Sequence, residues 1–288
     1  MPVLAVIPRV ASWRRKGEAK LITLERPMSL VSEAYRTLRT SILFSAMQRG
    51  LHTIMVASAN AGEGKSTTAA NLAVVLADSG KRVVLISADL RKPRAHRFFA
   101  LEGEPGLSNA LTGETTVWDS LQAPQVENLR VMVSGPVPAR PTELLQSEAM
   151  GELVADLRDV SDFVIIDTSP ILPVADALVL APLVDGILLV ADASITTRSA
   201  VTHTRELLDQ VDARLVGAVF NDYDPSRDRG SAGYYGYGYR RYGYYGDPEA
   251  AALRDPRRSG GFTGPENGQA LRVAPDPRPL ERPAEPGS

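Results

Sequence analysis

The sequence predicts an α/β fold: a mostly parallel sheet with helices on both faces. Three observations carry this. From residue 51 onward apolar runs alternate with helical segments. The runs are apolar at nearly every position rather than at every second one. A glycine-rich loop joins the first run to the first helix of that alternation. Strand–helix alternation implies crossover connections and so parallel strands, and a strand covered on both faces has no polar side to display.

Taken in order, residues 1–20 read as a connector: an apolar patch over 3–7, then Arg9, Arg14, Arg15, Lys16 and Lys20. A helix is predicted over 30–47. Glu33, Arg36 and Arg39 fall at i, i+3 and i+6 on it, broadly one face, with Leu38 and Ile42 on another. Strands are predicted at 53–57, 82–87, 129–133, 163–167, 186–191 and 214–220, and helices at 65–79, 142–159, 174–182 and 197–210. Ligands of such sheets bind beyond the carboxyl ends of the strands. The globular domain is expected to span 21–224. Residues 225–246 are a tyrosine cluster, and 247–288 are rich in Pro, Gly and charge. That last stretch has too little apolar surface to offset its chain entropy and is expected to be disordered.

Bulk composition narrows the function. Apolar residues make up 44% and charged residues 23%, as in ordinary globular proteins, and a net charge of −2 gives no general pull toward nucleic acid. The absence of cysteine excludes thiolate chemistry and cysteine-ligated metals. His52, His96 and His203 show no ligand spacing. The most apolar region, 163–190, is interrupted by Asp167, Asp176 and Asp185, so no bilayer span is expected. A cytoplasmic location follows as the expectation, with peripheral attachment to a membrane partner left open.

The loop is the strongest functional signal. Ala61-Gly62-Glu63-Gly64-Lys65-Ser66-Thr67 follows the apolar run at 53–57 and opens a helix. Backbone N–H groups of such a loop, aided by the helix N-terminus, cradle nucleotide phosphates. Lys65 would reach the outer phosphates and the Ser66 hydroxyl would enter a magnesium shell. A turn that merely needed glycines would leave the Lys-Ser pair unexplained. The ligand is therefore read as a nucleoside triphosphate with Mg2+.

Two apolar runs lead into aspartates suited to the metal. One is Phe163-Val164-Ile165-Ile166-Asp167, and the other runs from Val83 through Ser87-Ala88 to Asp89. Hard oxygen ligands suit Mg2+, which takes few protein ligands and keeps several waters. Asn221, at the end of the last strand, reads equally as a hydrogen-bonding partner of an adenine edge or as turn chemistry.

Seven of nine tyrosines, Tyr234, Tyr235, Tyr237, Tyr239, Tyr242, Tyr244 and Tyr245, fall within twelve residues, interleaved with glycine. A sticky low-complexity tract, base stacking and phosphorylation are the three readings, and only phosphorylation explains why the tract is joined to an ATP site.

With these motifs assembled, the chain resembles the bacterial tyrosine kinases, the autokinases of capsular and exopolysaccharide biosynthesis, whose domain is a P-loop NTPase of the MinD/ParA-like class. The resemblance runs from about residue 3 to 245. It rests on the segment Glu33-Ala34-Tyr35-Arg36-Thr37-Leu38-Arg39, the loop 62–67, Ala88-Asp89-Leu90-Arg91-Lys92-Pro93, Ile165-Ile166-Asp167-Thr168-Ser169-Pro170 and the tyrosine cluster. It implies an ATP- and Mg2+-dependent protein-tyrosine kinase that phosphorylates its own tail in trans. Lys65, Asp89 and Asp167 would be catalytic; Ala61 to Thr67 and Asn221 would bind nucleotide; Ser66, Asp89 and Asp167 would hold the metal. Glu33, Arg36 and Arg39 would build a homo-oligomeric ring. The implied partners are a membrane polysaccharide co-polymerase as activator and a cognate tyrosine phosphatase, with no nucleic acid, and the implied location is the inner face of the cell membrane through that partner.

One departure stands out. The family's second acidic motif has Asp-x-Asp, and Ser87 occupies its first position. Two alternatives follow: an ATP-binding, non-catalytic assembly scaffold of the same system, and a MinD- or ParA-like partitioning ATPase. The second is disfavoured because Ser58-Ala59-Asn60 lacks the extra lysine those proteins carry near the loop's start.

Overall fold

The continuous apolar runs become strands whose alternate residues feed two separate cores. A computed structural model describes residues 1–10 and 19–224. Among these, eight strands form one sheet: β1 (Val3–Pro8), β2 (Thr53–Ser58), β3 (Val83–Ser87), β4 (Leu121–Gln122), β5 (Leu129–Met132), β6 (Phe163–Asp167), β7 (Gly186–Asp192) and β8 (Leu215–Tyr223). Their order is β1-β8-β7-β2-β6-β3-β5-β4, and every neighbour pair is parallel except β4 with β5.

On one face Ile54, Val56, Leu85, Val131, Ile165 and Leu188 pack with α1 (Ile22–Glu25), α2 (Leu30–Arg49) and α3 (Lys65–Ala77). Met55, Val84, Ile86, Val164, Ile166 and Leu189 point the other way. They meet α6 (Pro141–Leu145), α7 (Glu148–Val160), α8 (Asp176–Leu180) and α9 (Arg198–Asp209). Two short helices, α4 (Ala95–Phe98) and α5 (Leu107–Leu111), follow β3. A period of two with both faces covered is why the strands read as unbroken apolar runs.

α2 shows how sequence sets the ends of an element. Ser29 Oγ accepts the Ser32 N–H, and the helix stops at Gly50 in the left-handed region (φ 65°), whose N–H reaches the Ala46 carbonyl. Its buried residues Val31, Tyr35, Leu38 and Ile42 recur at helical spacing and press on α3. α3 lies between α2 and the sheet, so residues 68–77 are all buried. The lone amide among them, Asn71, accepts both the N–H and the hydroxyl of Thr23.

Several elements differ from expectation. Residues 3–8, read within a connector, form the edge strand β1 alongside β8. The bidentate pair from Arg9 to Asp222 clamps it there at 3.0 and 2.8 Å. The helix predicted over 142–159 is two helices. Ser147 turns the chain extended (ψ 154°), and its hydroxyl donates to the Leu144 carbonyl at 2.8 Å. β8 runs on to Tyr223, and β4, α1, α4 and α5 are too short to leave a periodic signal. Among the described residues no helix is long and apolar enough to cross a membrane.

Candidate active site

The sheet order places β2, β6 and β3 side by side, so the loops after them converge at one carboxyl edge. Backbone bonds stitch these loops together: Ile171 and Leu172 donate to the carbonyls of Ser58 and Ala59, and Ala88 donates to that of Asp167. The cleft they enclose has a volume of about 430 Å³.

The phosphate loop is held from behind. Gly62 and Gly64 adopt φ of 85° and 95°, a region that L side chains rarely enter, and a Cβ at Gly64 would overlap Asn221. The Asn221 amide donates to the Glu63 carbonyl at 3.0 Å, so this side chain pins the loop. Glu63 is 1% exposed. Its carboxylate accepts the Asn60 N–H (3.1 Å) and the Thr196 hydroxyl (2.8 Å), tying the loop to the segment after β7. Glu63 therefore offers a nucleotide only its backbone. Gly62, Gly64, Lys65, Ser66 and Thr67 all line the cleft, as does Ala61.

Lys65 Nζ makes an ion pair of 2.9 Å with Asp89 Oδ2 and lies 3.5 Å from Ser66 Oγ. The other oxygen of Asp89 accepts the Lys92 N–H (3.1 Å) and faces the Ser169 hydroxyl (3.0 Å). Ser169 is fully buried and stands 3.1 Å from Asp176 as well. One hydroxyl proton is thus shared between two carboxylates. Asp176 is neutralised by a bidentate Arg91 at 2.7 and 3.0 Å and accepts the Thr142 hydroxyl at 2.6 Å. Burial alone would push the Asp176 carboxyl up, but Arg91, Thr142 and Ser169 outweigh it and hold it below the usual carboxylate range.

Asp167 is the opposite case. It is 2% exposed and its Oδ1 has no hydrogen-bond partner. Burial pushes its carboxyl up to about 6, against the pull of Lys65 and the Ser66 hydroxyl. Its register neighbour on β3 is Ser87, whose buried hydroxyl is also unpartnered. Parallel register neighbours project to the same face, so a carboxylate oxygen and a hydroxyl sit together unsatisfied at the strand ends. A buried orphan of this kind costs about 1–3 kcal/mol. A hard, hydrated cation would satisfy both, so the donor set fits Mg2+.

Sequence reasoning named Lys65, Ser66, Asp89 and Asp167, and the fold brings these four together. Glu33, Arg36 and Arg39 lie elsewhere, on α2. Glu33 and Arg36 pair at 2.9 Å, Arg36 also reaches the Pro27 carbonyl, and Arg39 reaches the Val75 carbonyl across to α3. The seven tail tyrosines lie outside the described residues. Sequence reasoning did not single out the Ser169–Asp176–Arg91 network, or the cleft-lining Lys92, Arg94, Arg97 and Phe98. The run Arg91-Lys92-Pro93-Arg94 directly after an acidic motif is the signal that could have found the cationic wall.

Comparison with known proteins bears on the family and the fold. An AAA domain family matches residues 51–215. The tyrosine-protein kinase YwqD of Bacillus subtilis is 42% identical over 229 residues, covering 80% of this chain and 92% of that protein. The kinase domain of the Escherichia coli tyrosine kinase ETK superposes with a TM-score of 0.73 at 31% identity, covering 81% of this chain and 94% of that one. The cell division ATPase MinD of Pyrococcus furiosus superposes at 0.53 with 26% identity, over 61% and 74% of the two chains.

Proposed function

This chain belongs to the bacterial tyrosine kinases, and on that premise we propose that it transfers the terminal phosphoryl group of ATP to the tyrosines of its own tail, 234–245, in trans. It is a protein-tyrosine kinase on the nucleotide-binding P-loop fold. The observation that carries the residue roles is the Lys65–Asp89 pair, 2.9 Å apart beside the orphaned Asp167.

In this reading the amides of residues 61–67 and the start of α3 hold the phosphates, and Lys65 leaves Asp89 to neutralise the outer ones. Asp89, fixed by Lys92 N–H and Ser169, then faces the acceptor and takes the tyrosine hydroxyl proton. The tyrosine oxygen bonds to the terminal phosphorus, the bond to the bridging oxygen breaks, and ADP leaves. Asp167 and Ser66, with Asp89 nearby, would hold Mg2+, which supplies charge neutralisation at the transferring phosphoryl group. Such transfer is mostly positioning and electrostatic stabilisation, which this set of groups provides. Asn221 serves the nucleotide by holding the loop.

The family supports a role in regulating capsular or exopolysaccharide synthesis and export. A membrane co-polymerase would act as activator, a tyrosine phosphatase would reset the tail, and a ring would form through Glu33, Arg36 and Arg39. The protein would then work at the inner face of the membrane through its partner. Phosphotyrosine formation with ATP and Mg2+, with the activator's cytoplasmic segment supplied, tests the reading. Wild type should give a signal that Lys65→Met abolishes. A silent wild type beside an active Ser87→Asp variant would overturn it in favour of an ATP-binding scaffold.

A further inference from the structure

The cleft is built for more than a nucleotide. Beyond the phosphate loop its wall continues through α4 and the turn before it, where Lys92, Arg94 and Arg97 are all exposed and line the same cavity. Among the described residues, none of the three has an ion-pair partner, whereas Arg91 beside them is committed to Asp176 and Lys65 to Asp89. Beside them the lining includes the apolar side chains of Phe98, Pro170, Pro173 and Val174. An apolar slot rimmed by unpaired cations suits an aromatic ring that carries an anionic group.

We infer that this rim is a phosphotyrosine-binding subsite for the chain's own tail, so that the first phosphorylation holds the tail at the cleft while neighbouring tyrosines are modified. The inference rests on the reading that the tail tyrosines are the acceptors. Charge supports it. Residues 234–245 carry Arg240 and Arg241 and no acid, so the unmodified tract has two positive charges and is repelled by the rim. Each phosphate brings about −1.5 to −2, so one modification cancels the repulsion and a second reverses it. Phosphate is held by arginine through charge-assisted hydrogen bonds, and the ring gains apolar contact with Phe98 and the prolines. Reach is sufficient. β8 stands four strand positions from β3, about 19 Å away. The ten residues from Asp224 to Tyr234 can span up to about 35 Å, so the tail of the same subunit or of a neighbour could arrive.

The test uses the full chain with the seven tail tyrosines changed to Phe, saturated with ADP and Mg2+ so that nucleotide phosphates already occupy their site. Fluorescence anisotropy then measures binding of a labelled peptide of residues 230–247, unmodified or phosphorylated at Tyr242. The phosphopeptide should bind roughly ten-fold or more tightly than the unmodified one. Lys92→Ala/Arg94→Ala/Arg97→Ala should erase that difference while leaving ADP affinity unchanged. Equal binding of the two peptides overturns the inference. So does a triple variant that keeps the discrimination, or one that loses ADP affinity instead. If the triple variant does not fold, competition on the parent chain decides: free phosphotyrosine should displace the phosphopeptide and free tyrosine should not, and equal effects reject the subsite. Wild type incubated with ATP separates the two readings. Tail phosphorylation with equal peptide binding rejects only the subsite, and no tail phosphorylation rejects both.

Discussion

Asp167 and Asp176 are both almost wholly removed from water, yet their carboxyls are shifted in opposite senses. Asp176 is surrounded by Arg91, Thr142 and Ser169 and is held charged. Asp167 keeps an unpartnered oxygen and is pushed toward its neutral form. The contrast is between a buried carboxylate with every lone pair used and one with an oxygen left open, and a perturbed, open carboxylate is the better candidate for a functional role.

The largest effect should come from Asp167→Asn. Removing its charge should lower tail phosphorylation about 10²- to 10³-fold, measured with saturating ATP and Mg2+. Stability of the nucleotide-free protein should move the other way. A carboxyl raised to about 6 in the fold from 3.8 contributes stability that is fully present below pH 4 and lost as pH rises through 6. Asparagine stays neutral, so denaturant titrations should superpose below pH 4 and favour the variant by about 3 kcal/mol above pH 6.

Asp176→Ala should do the reverse. A depressed carboxylate contributes stability above its ordinary value near 4, lost as pH falls through its folded one, so the penalty should be full at pH 7 and fade in acid. About 2–3 kcal/mol is expected, below the range for two fully buried partners because Arg91 is 39% exposed on its side chain.

The paired serines sharpen the comparison. Ser169→Ala deletes a hydroxyl that both Asp89 and Asp176 use and should cost about 1–2 kcal/mol in urea unfolding at pH 7. Ser87→Ala deletes an orphaned hydroxyl and should stabilise the nucleotide-free protein by about 1 kcal/mol. A loss at Ser87 equal to that at Ser169 would break the distinction between open and saturated groups.

Local motifs made one half of this site legible. The loop 61–67 and the strand-end Asp167 are contiguous patterns with fixed geometric meaning, and the sheet follows from the apolar runs around them. The other half depends on distance in sequence. Ser169 reads as a residue beside a proline until folding brings Asp89 and Asp176 to either side of it. Arg91 reads as one of several cations until it meets Asp176, 85 positions away. The edge strand β1 escaped notice because its ladder lies with β8, more than two hundred residues on, and the break at Ser147 because α6 and α7 keep a shared apolar periodicity across it. Asn221 reads two ways from sequence because its contact with Glu63 is tertiary as well.

The central claim is that one subunit's cleft phosphorylates another subunit's tail. Mixing two variants tests it directly: Lys65→Met, which keeps the tail but lacks the cleft's lysine, and the seven-fold tail Tyr→Phe chain, which keeps the cleft but lacks acceptors. Neither should phosphorylate itself. With ATP, Mg2+ and the activating segment, the mixture should place phosphotyrosine on the Lys65→Met chain, as read by mass spectrometry of residues 234–245. A mixture that stays silent while wild type modifies its own tail would contradict transfer between subunits.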